Sequence, residues 1–399
     1  MQALSDIIML DLTHMLSGPY GAMLLTDLGV QAIKVEPPGK GEGTRAFQAN
    51  DPNNSLNGMG SYYLTLNRSK KSICIDLKNE SGLELFYELV RKADIVFDNF
   101  SAGVTKRLKV DHETLAAINP RIITCTVTGF GETGPDNKRP AFDMVAQGYG
   151  GGMSITGQQE APPTRAGIPI GDLGGGMFSA VGTLAALHAR ERSGRGQHVD
   201  ISMQDCQISL INYMATMYYL SGEVPGAIGN AHFVHVPYNT YPTKDLWLII
   251  AIITNEAWAR FRDMMGIEAL MDDAFDLQPG RLAAKDFIED KIRDRLKQES
   301  CDFWLEKLAE VKIPCAPVND LEHALNDVQV QARNMVVTVA HPDGGEVQMP
   351  GNPVKMSAVA EETFAPPPLL GQQTDEILRD LLDKSESDIA ELRAAGTIG

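Results

Sequence analysis

Along the first two hundred residues, short apolar runs rich in β-branched side chains alternate with longer segments of helical spacing. Ile7 to Leu12 reads as a buried strand, Gly18-Pro19 as a turn opening a helix to about Leu28, and Val30 to Glu36 as the next strand. Together they predict a βαβ unit. The alternation continues with Ser72 to Leu77 as a strand, then Asn79 or Ser81 as the cap of a helix to about Lys92. Asp94 to Phe97 is a third strand, ending at Asp98-Asn99-Phe100. A helix around His112 to Ile118 leads through Asn119-Pro120 into the apolar strand Arg121 to Val127. Apolar strands separated by helices predict an α/β fold whose parallel sheet is covered on both faces.

A glycine-rich zone from Phe130 to Gly176 follows. After it a long helix is expected from about Met177 to Arg192, stopped by Ser193-Gly194-Arg195-Gly196. His198 to Met203 is strand-like, and another helix runs from Asp205 to about Leu220. Pro225 to Pro242, rich in Gly, Pro and His, reads as a crossing segment. At Asp245 the texture changes to one apolar strand, Trp247 to Ile253, followed by charged helical sequence to about Val311. The expected organisation is a large domain over 1–224, a small α+β domain over 225–320, and a segment, 321–399, that returns to the first domain.

A chain of 399 residues with 43% hydrophobic and 22% charged residues has ample core for two such units. Its five cysteines are scattered and include no C-x-x-C pair, so they read as buried thiols in a reducing compartment, with no metal site. The opening residues lack the basic region and long apolar core of a signal peptide, which makes a cytoplasmic protein the expectation. The run Leu246 to Ile253 falls far short of the roughly 18 residues a membrane span needs. A formal charge of −17 argues against nucleic acid or an anionic membrane as partner. An anionic ligand would have to find local basic side chains or backbone N–H groups.

Two acids stand out. Asp172 lies in Gly171-Asp172-Leu173-Gly174-Gly175-Gly176-Met177, ahead of the long helix. Three glycines let backbone approach a ligand, and a helix start presents unpaired N–H groups suited to an oxyanion. The alternative is that Asp172 caps the helix while the glycines pack it on a strand. Asp143, in Phe142-Asp143-Met144-Val145-Ala146-Gln147, has the same two readings.

The ordered set of His14 to Pro19, Ile33 to Glu36, Asn67 to Ile73, Asp98 to Phe100, Gly129 to Gly131, Phe142 to Gln147, Gly171-Asp172 and Ser193 to Gln197 resembles the class III CoA-transferases of the formyl-CoA transferase and carnitine CoA-transferase type. Ile313 to Val318 and Pro368 to Gly371 extend the resemblance over nearly the whole chain. It implies a Rossmann-like large domain with a parallel sheet, a smaller domain, and a homodimer of interlinked rings. It also implies coenzyme A as the carried group with no tightly bound cofactor, and acyl-CoA and carboxylic acids as substrates. Asp172 matches the family's nucleophile, Asp143 is a second catalytic candidate, and Gly174, Gly175 and Gly176 stand where oxyanion donors are expected. Positions matching CoA contacts are Met15, Leu16, Ile75, Lys78, Asn99, Phe100, Arg107 and Leu108.

Departures from the formyl-CoA transferase pattern are Leu16 in place of glutamine, Pro37 in place of arginine, and the absence of a tetraglycine loop. They count against oxalate and formyl-CoA, and succinyl-CoA with another dicarboxylate or a hydroxy acid is the expected pair. An α-methylacyl-CoA racemase of the same fold would need histidine before Asp143, where this chain has Phe142, a side chain that exchanges no proton. Ser17-Gly18-Pro19-Tyr20-Gly21 does not fit G-x-G-x-x-G, which weakens a dehydrogenase reading. A non-catalytic acyl-CoA-binding protein would have no use for Asp172.

Overall fold

The computed structural model describes residues 2–359 and 363–399. The apolar runs of the first two hundred residues become β1 (Ile8–Asp11), β2 (Gln31–Glu36), β3 (Lys71–Cys74), β4 (Ile95–Asp98), β5 (Ile123–Thr128) and β6 (His198–Ser202). All six pair in parallel, in the order β3-β2-β1-β4-β5-β6, with Leu10 of β1 between Ile33 and Val96. Side chains alternate across the sheet. Met9 therefore enters one apolar cluster with Phe97, Ala22 and Leu187, while its neighbour Leu10 enters the other with Ile73, Val96 and Phe86.

The crossovers carry α1 (Ser17–Asp27), α2 (Glu80–Val90), α3 (His112–Ile118), α4 (Asp143–Tyr149) and α5 (Ile170–Ser193), and α6 (Met203–Ile211) follows β6. Asn79 caps α2 by accepting the Ser81 N–H. The helix expected over Asp205 to Leu220 is broken at Asn212, whose φ of 47° is left-handed. α5 is long and apolar enough to cross a bilayer by composition, and half of its most apolar stretch is buried in the protein. It begins at Ile170, seven residues before the expected start, so Gly174, Gly175 and Gly176 lie inside the helix. A Cβ on Gly176 would stand 2.7 Å from the Ser17 carbonyl oxygen, and one on Gly175 2.6 Å from Ser17 Oγ. Gly175 and Gly176 form the surface on which α1 rides, while Gly174 faces Leu210 of α6.

Charge is buried at the centre of the sheet. Lys70 Nζ donates to Asp11 Oδ2 at 2.7 Å with both side chains sealed from solvent, and Lys34 Nζ donates to the Thr13 carbonyl at 2.7 Å. Burial alone would push the Asp11 carboxyl up. Lys34 and Lys70, with hydrogen bonds from Lys70 and Thr13, outweigh it and hold the group at about 2.

Chain segments up to Gly152, Arg165–Gly222 and Gln329–Gly399 form this first compact unit; Met153–Thr164 and Glu223–Val328 form a second. In the second, β7 (Tyr238–Pro242), β8 (Trp247–Ala251) and β9 (Cys315–Pro317) make an antiparallel sheet with β8 central. Leu248 and Ile250 face a core with Trp258, Ile292 and Trp304, supplied by α7 (Asn255–Met265), α8 (Lys285–Leu296) and α9 (Cys301–Glu310). In the first unit, β10 (Val336–Ala340) and β11 (Glu346–Pro350) form an antiparallel pair, and after them α10 (Thr374–Leu382) and α11 (Glu386–Ala394) bring Ile398 to a bridge with Ile75 beyond β3.

Candidate active site

Strand order 3-2-1-4-5-6 reverses direction between β1 and β4, and the carboxyl ends of those strands diverge to leave a crevice. His14, Met15, Leu16 and Ser17 leave β1 there, and Asn99 and Phe100 leave β4. These residues line a cavity of about 540 Å³ together with Asp143 and Asp172. A second cavity, of about 330 Å³, is lined by Ile75, Lys78 and Leu108, and His14 and Phe100 border both. Of the eight positions matched to CoA contacts, seven thus face one cavity or the other. Arg107, exposed on the short helix Val104–Leu108, lines neither.

The crevice walls are held by side chains far apart in the chain. Asn99 accepts the His14 N–H at 2.9 Å and donates to the His14 carbonyl at 2.7 Å, so its amide fixes the turn after β1. Met15 beside it has φ 66°, a left-handed backbone unusual for a side chain of its size. Asp98, fully buried, accepts from the Phe100 N–H at 3.0 Å and the Thr126 hydroxyl at 2.8 Å. Burial pushes its carboxyl up to about 7 against those bonds.

Asp172 occupies the first turn of α5, and Ser17 Oγ donates to its carbonyl at 2.9 Å. Among the described residues no donor reaches its carboxylate oxygens. Burial, and then the negative charge of Asp143, raise its carboxyl to about 7. The group is therefore poised between protonated acid and bare carboxylate near neutrality.

Asp143 takes the capping role that the sequence left open, but for a helix other than its own. Its Oδ1 accepts the N–H of Gly171 at 2.8 Å and, at 3.4 Å, that of Asp172. Its Oδ2 accepts Nε2 of Gln147 at 2.8 Å, and Gln147 Oε1 in turn accepts the Ala166 N–H at 2.9 Å. Gln207 Nε2 donates to the Ile170 carbonyl at 3.1 Å. Buried Gln147 and Gln207 thereby pin the start of α5 from two sides. The reading of Gly174, Gly175 and Gly176 as an oxyanion loop needs correction. Beyond the first turn, helical N–H groups are bonded to carbonyls one turn back, and the first-turn N–H groups of Gly171 and Asp172 are taken by Asp143.

Sequence reasoning passed over two arginines that line the larger cavity, Arg139 and Arg165. Neither stands in a periodic pattern, and both sit in Pro- and Gly-rich connections where a basic residue reads as solvated. No cluster of three His, Cys, Asp or Glu among the described residues could hold a metal ion.

A parallel α/β sheet with its crevice at the point where strand order reverses, and an unbonded carboxylate among the residues lining that crevice, defines a ligand-binding α/β fold with a candidate nucleophile. The sequence matches CoA-transferase family III over residues 4–374, and the chain belongs to that family and is an enzyme of that type. It is 37% identical over 353 residues to the acetyl-CoA:oxalate CoA-transferase of Acetobacter aceti, covering 88% of each chain. It is 32% identical over 399 residues to the succinyl-CoA:glutarate CoA-transferase of Mus musculus, covering 100% of this chain and 91% of that one. The crystal structure of a CAIB/BAIF family protein from Brucella suis superposes with a TM-score of 0.84 at 33% identity, over 95% of this chain and 99% of the other.

Proposed function

We propose that this enzyme moves CoA from an acyl-CoA to a dicarboxylic acid through covalent intermediates on Asp172. Ionised Asp172 attacks the thioester carbonyl; a C–O bond forms, the C–S bond breaks, and CoA leaves as thiolate from a mixed anhydride. The thiolate then attacks the aspartyl carbonyl, giving an aspartyl-CoA thioester and releasing the donor acid. The acceptor carboxylate attacks that thioester, and the expelled thiolate takes the acceptor acyl group and frees Asp172. One thioester replaces another, so no nucleotide is consumed. The observation that carries the reading is the Asp172 carboxylate, without a hydrogen-bond donor, in the crevice of a family III chain.

In this reading CoA lies in the two cavities that meet at His14 and Phe100, against Met15, Leu16, Ile75 and Leu108, with Lys78 in the wall for phosphates and Arg107 outside it, on the helix that carries Leu108. Asp143 is a positioning residue that holds the turn on which the nucleophile sits. Both relatives act on dicarboxylates, which supports that class of acceptor, and the oxalate enzyme keeps oxalate among the candidates despite Leu16 and Pro37. Succinyl-CoA and acetyl-CoA are the donors to try first. An interlinked homodimer and a cytoplasmic setting belong to the same proposal; five free cysteines fit a reducing compartment.

Mass spectrometry of the protein after incubation with acyl-CoA, with hydroxylamine or borohydride trapping, is expected to locate the adduct on Asp172. Asp172→Ala is expected to bind CoA without exchange. Transfer at the wild-type rate in that variant ends the proposal.

A further inference from the structure

The larger cavity gathers two carboxylates, Asp143 and Asp172, and two guanidinium groups, those of Arg139 and Arg165. The cations differ in how they are engaged. Arg139 Nη1 donates to Asp136 at 3.2 Å, and its guanidinium lies 5.1 Å from the Tyr149 ring centroid, so an acid and a ring already occupy it. Arg165 donates no hydrogen bond among the described residues. Its nearest acidic atom is Asp143 Oδ2, at 4.0 Å, outside hydrogen-bonding range, and its side chain is 52% exposed. Its backbone, however, is fixed. Gln147, 2% exposed, binds the Asp143 carboxylate with one end of its amide and the Ala166 N–H with the other. The helix that steadies the nucleophile's turn therefore also sets the place of Arg165.

Five N–H donors in a planar fork, held near Asp143 in the cavity that Asp172 also lines and donating no hydrogen bond among the described residues, match a carboxylate. An acid must bring one carboxylate to Asp172, where Asp143 already adds negative charge. A second carboxylate on the same molecule would worsen that repulsion unless a cation received it. We infer that Arg165 receives the carboxylate of the acceptor that is not being converted to thioester, and so selects diacids over monoacids. This rests on the Asp172 chemistry proposed above and adds the residue that sets the acceptor class.

The test separates the two. Wild type and Arg165→Gln are loaded with CoA from acetyl-CoA, which has no second carboxylate, the Asp172 adduct is measured, and its discharge is followed against glutarate and against glutaramate, in which a neutral amide replaces one carboxylate. A charge-assisted hydrogen bond is worth about 1.5–3 kcal/mol, or about 10–100-fold. Wild type is expected to favour glutarate by a factor of that order in half-saturating concentration. Arg165→Gln should still load and should lose the preference, with glutaramate discharge unchanged; Arg165→Lys should recover part of it. Equal use of both acids by wild type overturns the inference, as does an undiminished preference in the glutamine variant or an equal loss for both acids. Failure of wild type to form any adduct strikes the Asp172 chemistry first and removes the inference with it.

Discussion

Replacing Asp172 by asparagine should make the protein more stable at alkaline pH, because the carboxylate is held where its charge is poorly tolerated. Burial, followed by the charge of Asp143, raises this carboxyl from the ordinary 3.8 to about 7. A carboxyl whose folded value exceeds its unfolded value costs stability when ionised. The cost is absent below 3.8, grows as pH rises between the two values, and is complete above about 7. At 1.36 kcal/mol per pH unit the full cost is about 4 kcal/mol, of which about 2 kcal/mol develops between about pH 5.5 and about pH 8. Asparagine keeps the shape and the backbone N–H groups bonded to Asp143, and removes the charge. All three tryptophans, Trp247, Trp258 and Trp304, lie in the second unit, so their fluorescence would miss the event. Calorimetry or far-UV circular dichroism of wild type and variant at the two pH values reads it instead. A stability difference that does not grow with pH, or an asparagine variant less stable than wild type at about pH 8, refutes the reasoning.

Asp143→Asn removes a charge that raises the Asp172 carboxyl. The pH midpoint for adduct formation should fall, though not to 3.8, because burial remains; rapid-quench rates across pH measure it, and an unmoved midpoint contradicts the electrostatic account. Gly176→Ala should cost about 1–3 kcal/mol, since its methyl would meet the Ser17 backbone carbonyl at 2.7 Å. Gly174→Ala should cost less, because its nearest obstacle is Leu210 Cδ1 at 3.2 Å, a flexible tip; the reverse order in thermal melts would be inconsistent with the packing. Lys70→Met leaves buried Asp11 without its ion-pair partner and should destabilise by about 3–5 kcal/mol in chemical denaturation. A loss below about 1 kcal/mol would mean that Lys34 alone suffices to hold that charge.

The sequence located the sheet well. The apolar runs at Ile7 to Leu12, Val30 to Glu36 and Arg121 to Val127 each lie within two residues of the observed strands at both ends, because a strand buried on both faces needs an unbroken apolar run and little else. It misjudged the start of α5 by seven residues. Three glycines cost a helix about 1 kcal/mol each relative to alanine, so local propensity places the start after them. The close seat of α1 on Gly175 and Gly176, the packing of Gly174 against α6, and Asp143 capping the first turn from 28 residues away offset that cost.

Composition and periodicity by themselves determined a parallel α/β sheet, a change of texture at Asp245, and an acid at the start of a long helix. Only the tertiary structure decided that β1 and β4 lie side by side, so that His14 and Phe100 border one crevice. It alone brought Asp143 to Gly171, and Gln147 to Ala166 beside Arg165. Hydrophobic period is a property of neighbours along the chain and can be read there. The ionisation of Asp172 and the reach of Arg165 depend on which distant groups share a poorly solvated space, and strand order sets that.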